Sequence, residues 1–281
     1  MPDMTPTPDL PSSTTAARKR ENPKGYSAPD TSPAAASSPM RKVHAVMQGK
    51  GGVGKTYIAS LIAQFLTERG EPVVCLDTDM VNASFRDLKA LKVEPIDLFK
   101  RDSDEIDVNA MDGMVERFVN EDSNFVVDNG ATSFVPLSRY FVQDGIADTV
   151  EAAGRKLVIH AVIAGGQEQL QTAKGFDSIA NQFPASADIV LWLNEHHGVV
   201  AGADGAQFEA TPLYKAHRER VLGIVRLSRL HQQTFGTNVA EVLARSMTFA
   251  EADASPDFFV VAKQRLRQVK RPIFDQLALV M

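Results

Sequence analysis

From residue 41 onward the apolar positions of this chain fall into two alternating patterns. Continuous runs of Val, Ile and Leu at 43–47, 72–76, 124–128, 156–164, 187–193 and 221–227 lack polar alternation and predict strands covered on both faces. Between them lie amphipathic stretches at about 55–69, 107–120, 138–153, 167–182 and 231–245, which predict helices. Gly70 stands where a helix-stopping C′ glycine belongs. Strand and helix in this order specify an α/β domain over 41–281, with a mainly parallel sheet between two helical layers. The segment 195–212, with Gly198, Gly202 and Gly205, breaks the rhythm and reads as an inserted loop or lid.

Residues 1–40 follow neither pattern. They hold eight of the 15 prolines and many Ser and Thr, too little apolar surface to offset the entropy of ordering, so a disordered arm is expected. Two readings of it stand, a solvated tail or a short docking motif at Arg18-Lys19-Arg20. With 30 basic and 35 acidic residues the net charge is -5, which argues against a general nucleic-acid coat and makes direct DNA contact a secondary expectation. The single cysteine, Cys75, excludes an internal disulfide framework and a cluster ligated within one subunit, and suits a reducing, cytoplasmic compartment. No apolar run is long enough to span a bilayer.

Chemistry enters with Gly49-Lys50-Gly51-Gly52-Val53-Gly54-Lys55-Thr56, which fits G-x-x-x-x-G-K-[ST] between a predicted strand and a predicted helix. Glycines let backbone N–H groups turn inward around a polyphosphate, and the helix starting at Lys55 adds its N-terminal dipole. Lys55 can bridge phosphates and the Thr56 hydroxyl can ligate Mg²⁺, so ATP and Mg²⁺ are the expected cofactors. Such a loop needs carboxylates at neighbouring strand ends. Asp77-Thr78-Asp79 closes the second strand, and Asp128 ends the apolar run 125–127 in the Walker B manner.

A second lysine inside the loop, Lys50, is not needed to cradle phosphate. With it, the sequence resembles the deviant Walker ATPases, which include MinD, ParA and the nitrogenase iron protein. That resemblance implies that Lys50 reaches the phosphates of a partner subunit in an ATP-dependent homodimer. It implies that Asp79 orients the attacking water, that Asp77 assists at the metal with Thr56 and Asp128, that Asn82 lies near the γ-phosphate, and that Asn194 contacts the adenine edge. Met80 and Asn129-Gly130 depart from the prolines common in that family's switches. Some relatives bind membrane through a C-terminal amphipathic helix. Here Lys263, Arg265, Arg267, Lys270 and Arg271 precede Ile273, Phe274 and Leu277, and Pro272 is expected to interrupt the helix, so a last helix packed on the domain competes with membrane contact.

Several segments resemble one branch, the TraL-type conjugal transfer proteins and their StbB-like plasmid stability relatives. They include Met47-Gln48-Gly49-Lys50, Val81-Asn82-Ala83, the run 127–138, Gln182-Phe183-Pro184 and Trp192-Leu193-Asn194. The resemblance implies a slowly hydrolysing switch in plasmid transfer or partition that acts through protein partners. Recruitment to membrane or nucleoid by those partners is part of the same expectation. Two other readings remain open, a metabolic ATP-dependent carboxylase or amidoligase resembling dethiobiotin synthetase, and a nucleotide-binding adaptor with little hydrolysis. The pair His196-His197 reads as a surface loop feature, and Gly165-Gly166 as a strand-to-helix turn.

Overall fold

The computed structural model describes residues 40–100, 103 and 105–281. The arm expected at 1–40, with its Arg18-Lys19-Arg20 motif, lies outside the described residues apart from Met40. Among those described, seven parallel strands form one sheet in the order β3-β2-β4-β1-β5-β6-β7. They are β1 (Lys42–Met47), β2 (Val73–Asp77), β3 (Glu94–Pro95), β4 (Asn124–Asp128), β5 (Lys156–Ala164), β6 (Asp188–Asn194) and β7 (Val221–Leu227). β1 lies between β4 and β5: the chain leaves β1 towards β2 on one side, and the connection after β4 carries it past β1 to β5 on the other. In such sheets the crevice beyond the carboxyl ends at this reversal receives ligands.

Alternate residues of each strand feed two cores. Val43, Ala45 and Met47 face one side, with Phe118, Phe125 and Phe176. This side is covered by α2 (Val108–Asn120), α3 (Phe134–Gln143), α4 (Ile146–Ala152), α5 (Gln169–Gln182) and the short α6 (Pro212–His217). Val46, Val126 and Trp192 face the other, under α1 (Lys55–Glu68), α7 (Thr237–Ala244), α8 (Phe249–Ala254) and α9 (Val260–Val280). The three layers are those expected of the sequence.

Departures have local causes. The single helix expected at 138–153 is two, because Gly145 adopts φ 63 between α3 and α4. α8 is absent from the amphipathic pattern, but a capping box between Thr248 and Glu251 starts it. Pro272 does not interrupt the last helix, and α9 runs through it. Leu266, Val269, Ile273, Leu277 and Val280 form a buried stripe while Pro272 lies on the exposed side, so burial outweighs the one missing hydrogen bond. That apolar stripe is spent on the domain, which is the packed-helix outcome. No helix among the described residues is long and apolar enough to cross a membrane. The segment 195–212 is an inserted loop folded back on itself by a bridge between Ala201 and Gln207, with Val200 and Phe208 buried.

Candidate functional site

The register sets the site. Asp77 of β2 pairs with Asp128 of β4, and Val46 of β1 pairs with Asp128, so both carboxylates stand beside the loop that leaves β1. In that loop Gly54 precedes α1 with φ 92, and a Cβ there would meet the Asn194 amide at 2.7 Å. Both the backbone angle and the contact call for glycine. α1 has no side-chain cap, which leaves its first N–H groups facing the crevice.

The Thr56 hydroxyl donates to Asp128 Oδ2 at 2.6 Å, which couples the loop to β4. Asp128 is buried, and its other oxygen, Oδ1, has no hydrogen-bond partner. Burial raises its pKa to about 7, and the charges of Asp77 and Asp79 push the same way against Thr56 and Lys55. Lys55 Nζ donates to the Lys50 carbonyl at 2.9 Å, and burial lowers its pKa. Lys50 Nζ points elsewhere, to Glu168 Oε2 at 3.2 Å.

Asp79 and Asn82 hydrogen-bond to each other in the segment after β2. Asp79 Oδ1 accepts from the N–H groups of Val81 and Asn82, both at 3.1 Å, and Oδ2 accepts from Asn82 Nδ2 at 3.1 Å. A carboxylate has about four acceptor positions, so one remains. Asp77 accepts from Asp79 N–H at 2.8 Å and from Arg86 Nε at 3.0 Å, and burial raises its pKa. Asn194 Nδ2 donates to the Val53 carbonyl at 2.9 Å, so this side chain ties β6 to the phosphate loop.

Three residues escaped the sequence reading. Arg86 clamps Asp77 and also donates to the Asp79 carbonyl at 3.2 Å. Phe134, at the start of α3, packs on the phosphate loop so closely that a Cβ on Gly49 would lie 2.9 Å from its ring. Glu168 pairs with Lys50. No motif marks Arg86 or Glu168, and Phe134 stands in the run 127–138 only as part of a resemblance, because each acts through a fold-dependent contact. The segments after β2 and β4 are also joined: the Asp128 carbonyl accepts from Thr78 N–H at 3.0 Å and from Thr78 Oγ1 at 3.1 Å, and Thr78 Oγ1 lies 3.3 Å from Ser133 Oγ.

A parallel sheet reversing at β1, a glycine loop opening α1 and a strand-end carboxylate bonded to the loop threonine define a P-loop NTPase fold. The family described as "ParA: NUBPL iron-transfer P-loop NTPase" matches residues 39–129, which hold the loop and all three aspartates. Protein TraL of Escherichia coli is 40% identical over 238 residues, covering 85% of this chain and 98% of that protein. The chain belongs to the TraL family. Among solved structures, MinD in the Aquifex aeolicus MinC:MinD cell division complex is similar at 14% identity, with a TM-score of 0.47 over 83% of this chain and 96% of that one. The septum site-determining protein MinD of Pyrococcus horikoshii, complexed with Mg-ADP, gives 13% and 0.45 over 85% and 98%.

Proposed function

We propose that this chain binds Mg-ATP, pairs with a second copy across the phosphate loops, and hydrolyses slowly to reset a switch read by plasmid transfer or partition proteins. The observation that carries this reading is the short Thr56–Asp128 hydrogen bond beside a buried carboxylate oxygen without a partner. A loop hydroxyl and a strand-end carboxylate, one oxygen unspent, are the donor set that a hard divalent cation takes in P-loop proteins. Mg-ATP would supply the charge and the metal; Gly49, Lys50, Gly51, Gly52, Val53, Gly54, Lys55 and Thr56 would hold the phosphates, and Thr56 and Asp128 the metal, with Asp77 behind them. Asp79 keeps one acceptor position for a water proton, Asn82 holds Asp79, and Asn194 fixes the loop next to the base. Lys50 would bring positive charge to the partner's phosphates as they gain charge.

The pairing is supported by apolar residues on the same face. Val81 after β2, Val135 after β4, Leu170 after β5 and Val199 after β6 are all more than half exposed around the loop. Apolar side chains gathered on one face favour contact with another protein surface.

The reading is tested by titrating Mg-ATP into the wild type and into Lys55→Ala, with sedimentation in parallel. Wild type should bind and sediment as a dimer at high protein concentration, whereas Lys55→Ala should lose binding. Equal affinity in the two proteins would remove the phosphate-loop assignment. Binding without any dimer would remove the switch and leave a nucleotide-binding adaptor.

A further inference from the structure

The surroundings treat the two loop lysines differently. Lys55 is satisfied inside the loop by the Lys50 carbonyl. Lys50 leans out of the loop onto Glu168, 3.2 Å away, and both side chains are about a third exposed, at 33% and 34%. Glu168 ends a 3-10 turn, Gly166–Glu168, between β5 and α5. That turn is held from several directions. The Glu168 carbonyl accepts from Thr172 Oγ1 at 2.7 Å, and Thr172 Oγ1 accepts from Ala164 N–H at 3.1 Å. Gln48, at the exit of β1, donates to the Val162 carbonyl at 2.8 Å and the Thr172 carbonyl at 3.1 Å. Gly165 lies so close to the inserted loop that a Cβ would stand 1.8 Å from the Gly198 carbonyl oxygen, a contact only glycine permits. Glu168 therefore stands on a fixed block, while its partner sits on a loop that must embrace a ligand.

We propose that Glu168 is a latch: it holds Lys50 within its own chain and so raises the threshold at which two copies close face to face. The inference rests on the dimer reading above, since Lys50 cannot reach a partner's phosphates without leaving Glu168. A triphosphate carries several negative charges and outcompetes one carboxylate for the amine. The contact also stands at the edge of the surface that closure would cover. Next to Glu168, Leu170 and Val199 line a cleft of about 1020 Å³ between the turn and the inserted loop. An ion pair left in place there would lose its water on closure, which penalises the closed form as long as the latch is shut.

The size of the effect follows from exposure. A partly exposed ion pair holds its groups together by roughly a factor of two to five. A dimer opens two latches, so removing them should lower the concentration for half-dimerisation by about four- to twenty-five-fold.

The test compares wild type with Glu168→Gln, which keeps the shape and removes the charge. Sedimentation with Mg²⁺ and a non-hydrolysable ATP analogue should show the variant dimerising at the lower concentration. Nucleotide affinity measured at dilute, monomeric protein should be the same in both. The difference should shrink as salt is raised to about 0.5 M, where exposed charges are screened over a few ångströms. Without nucleotide, the rate of Lys50 acylation read by mass spectrometry should rise in the variant. Equal dimerisation midpoints overturn the latch, as does a weaker dimer, which would make Glu168 a contact to the partner. Unchanged Lys50 acylation overturns it independently of dimer formation. If wild type and variant both bind the analogue and both stay monomeric, the dimer reading itself fails and the latch falls with it.

Discussion

Asp128→Asn should shift the stability of the protein by an amount that depends on pH, increasingly in favour of the variant as pH rises. Asp128 is 2% exposed and titrates at about 7 in the folded chain. An unfolded aspartate titrates near 4. Between those values the folded state holds a proton that the unfolded state has released, so the contribution of Asp128 to stability is greatest in acid and is lost as pH rises through 7. At about 1.4 kcal/mol for each unit of difference, ionising Asp128 in place disfavours the fold by about 4 kcal/mol at pH 8, of which about 3 is recovered by pH 5. Asparagine keeps an acceptor for the Thr56 hydroxyl and carries no charge. Its amide meets the same partnerless surroundings as Oδ1, a penalty of about 1–3 kcal/mol that does not vary with pH. The difference between the two proteins should therefore move by about 3 kcal/mol from pH 5 to pH 8, whatever its offset. Urea unfolding followed by circular dichroism, in EDTA and without nucleotide, measures it, and titrating groups that do not interact with Asp128 cancel in the subtraction. A difference that is flat across this range would refute the claim that burial of Asp128 dominates its titration.

Three further outcomes follow from the same geometry. Lys50→Ala should leave nucleotide affinity of the monomer intact yet abolish dimerisation and slow phosphate release by at least about tenfold, the usual scale for one transition-state charge; light scattering that shows a normal dimer would count against the trans role. Asp79→Ala should accumulate an ATP-bound dimer while phosphate release falls by about a hundredfold, and ordinary turnover would remove Asp79 as the residue that orients water. The buried pair His44 and His160 should sensitise the fold to acid. Burial drives both pKa values down, that of His160 to about 3, so below pH 6.5 the unfolded chain gains protons that the fold refuses. At pH 5 His160 should weaken the fold by about 2 kcal/mol and His44 should act in the same direction, most visibly in the Asp128→Asn background, and a replacement of His44 by Phe that left the acid midpoint unmoved would exclude its part.

Much of the architecture could be read from apolar runs because both faces of the sheet are covered. Val43, Ala45 and Met47 serve one core and Val46 the other, and the polar His44 between them is itself buried, so β1 still reads as covered on both faces. Where burial and local chemistry disagree, the reading failed. Gly145 splits what looked like one helix, and the stripe from Leu266 to Val280 carries α9 past Pro272. The phosphate loop was legible because its chemistry is contained in eight consecutive residues. Asp77 and Asp128 were legible because both end strands, and pairing of β2 with β4 sets them abreast. Arg86, Phe134 and Glu168 were not, since each matters through a residue distant in sequence or through a backbone path that only the folded chain defines. The hydrogen-bonded string from Trp192 through His160 to His44 is likewise a product of register, with gaps of 2.9 and 3.0 Å.

The stitching of Thr78 to the Asp128 carbonyl and to Ser133 bears on how a receptor would read this molecule. The two segments that flank the glycine loop cannot swing separately without tearing those bonds, so any change in one would reach the other as a single needle on the dial. A listener touching only Val135 would hear a change that began at Asp79. Replacements at Val81 and Val135 should then compound in a non-additive way in any recruitment assay, although the two side chains belong to different strand ends.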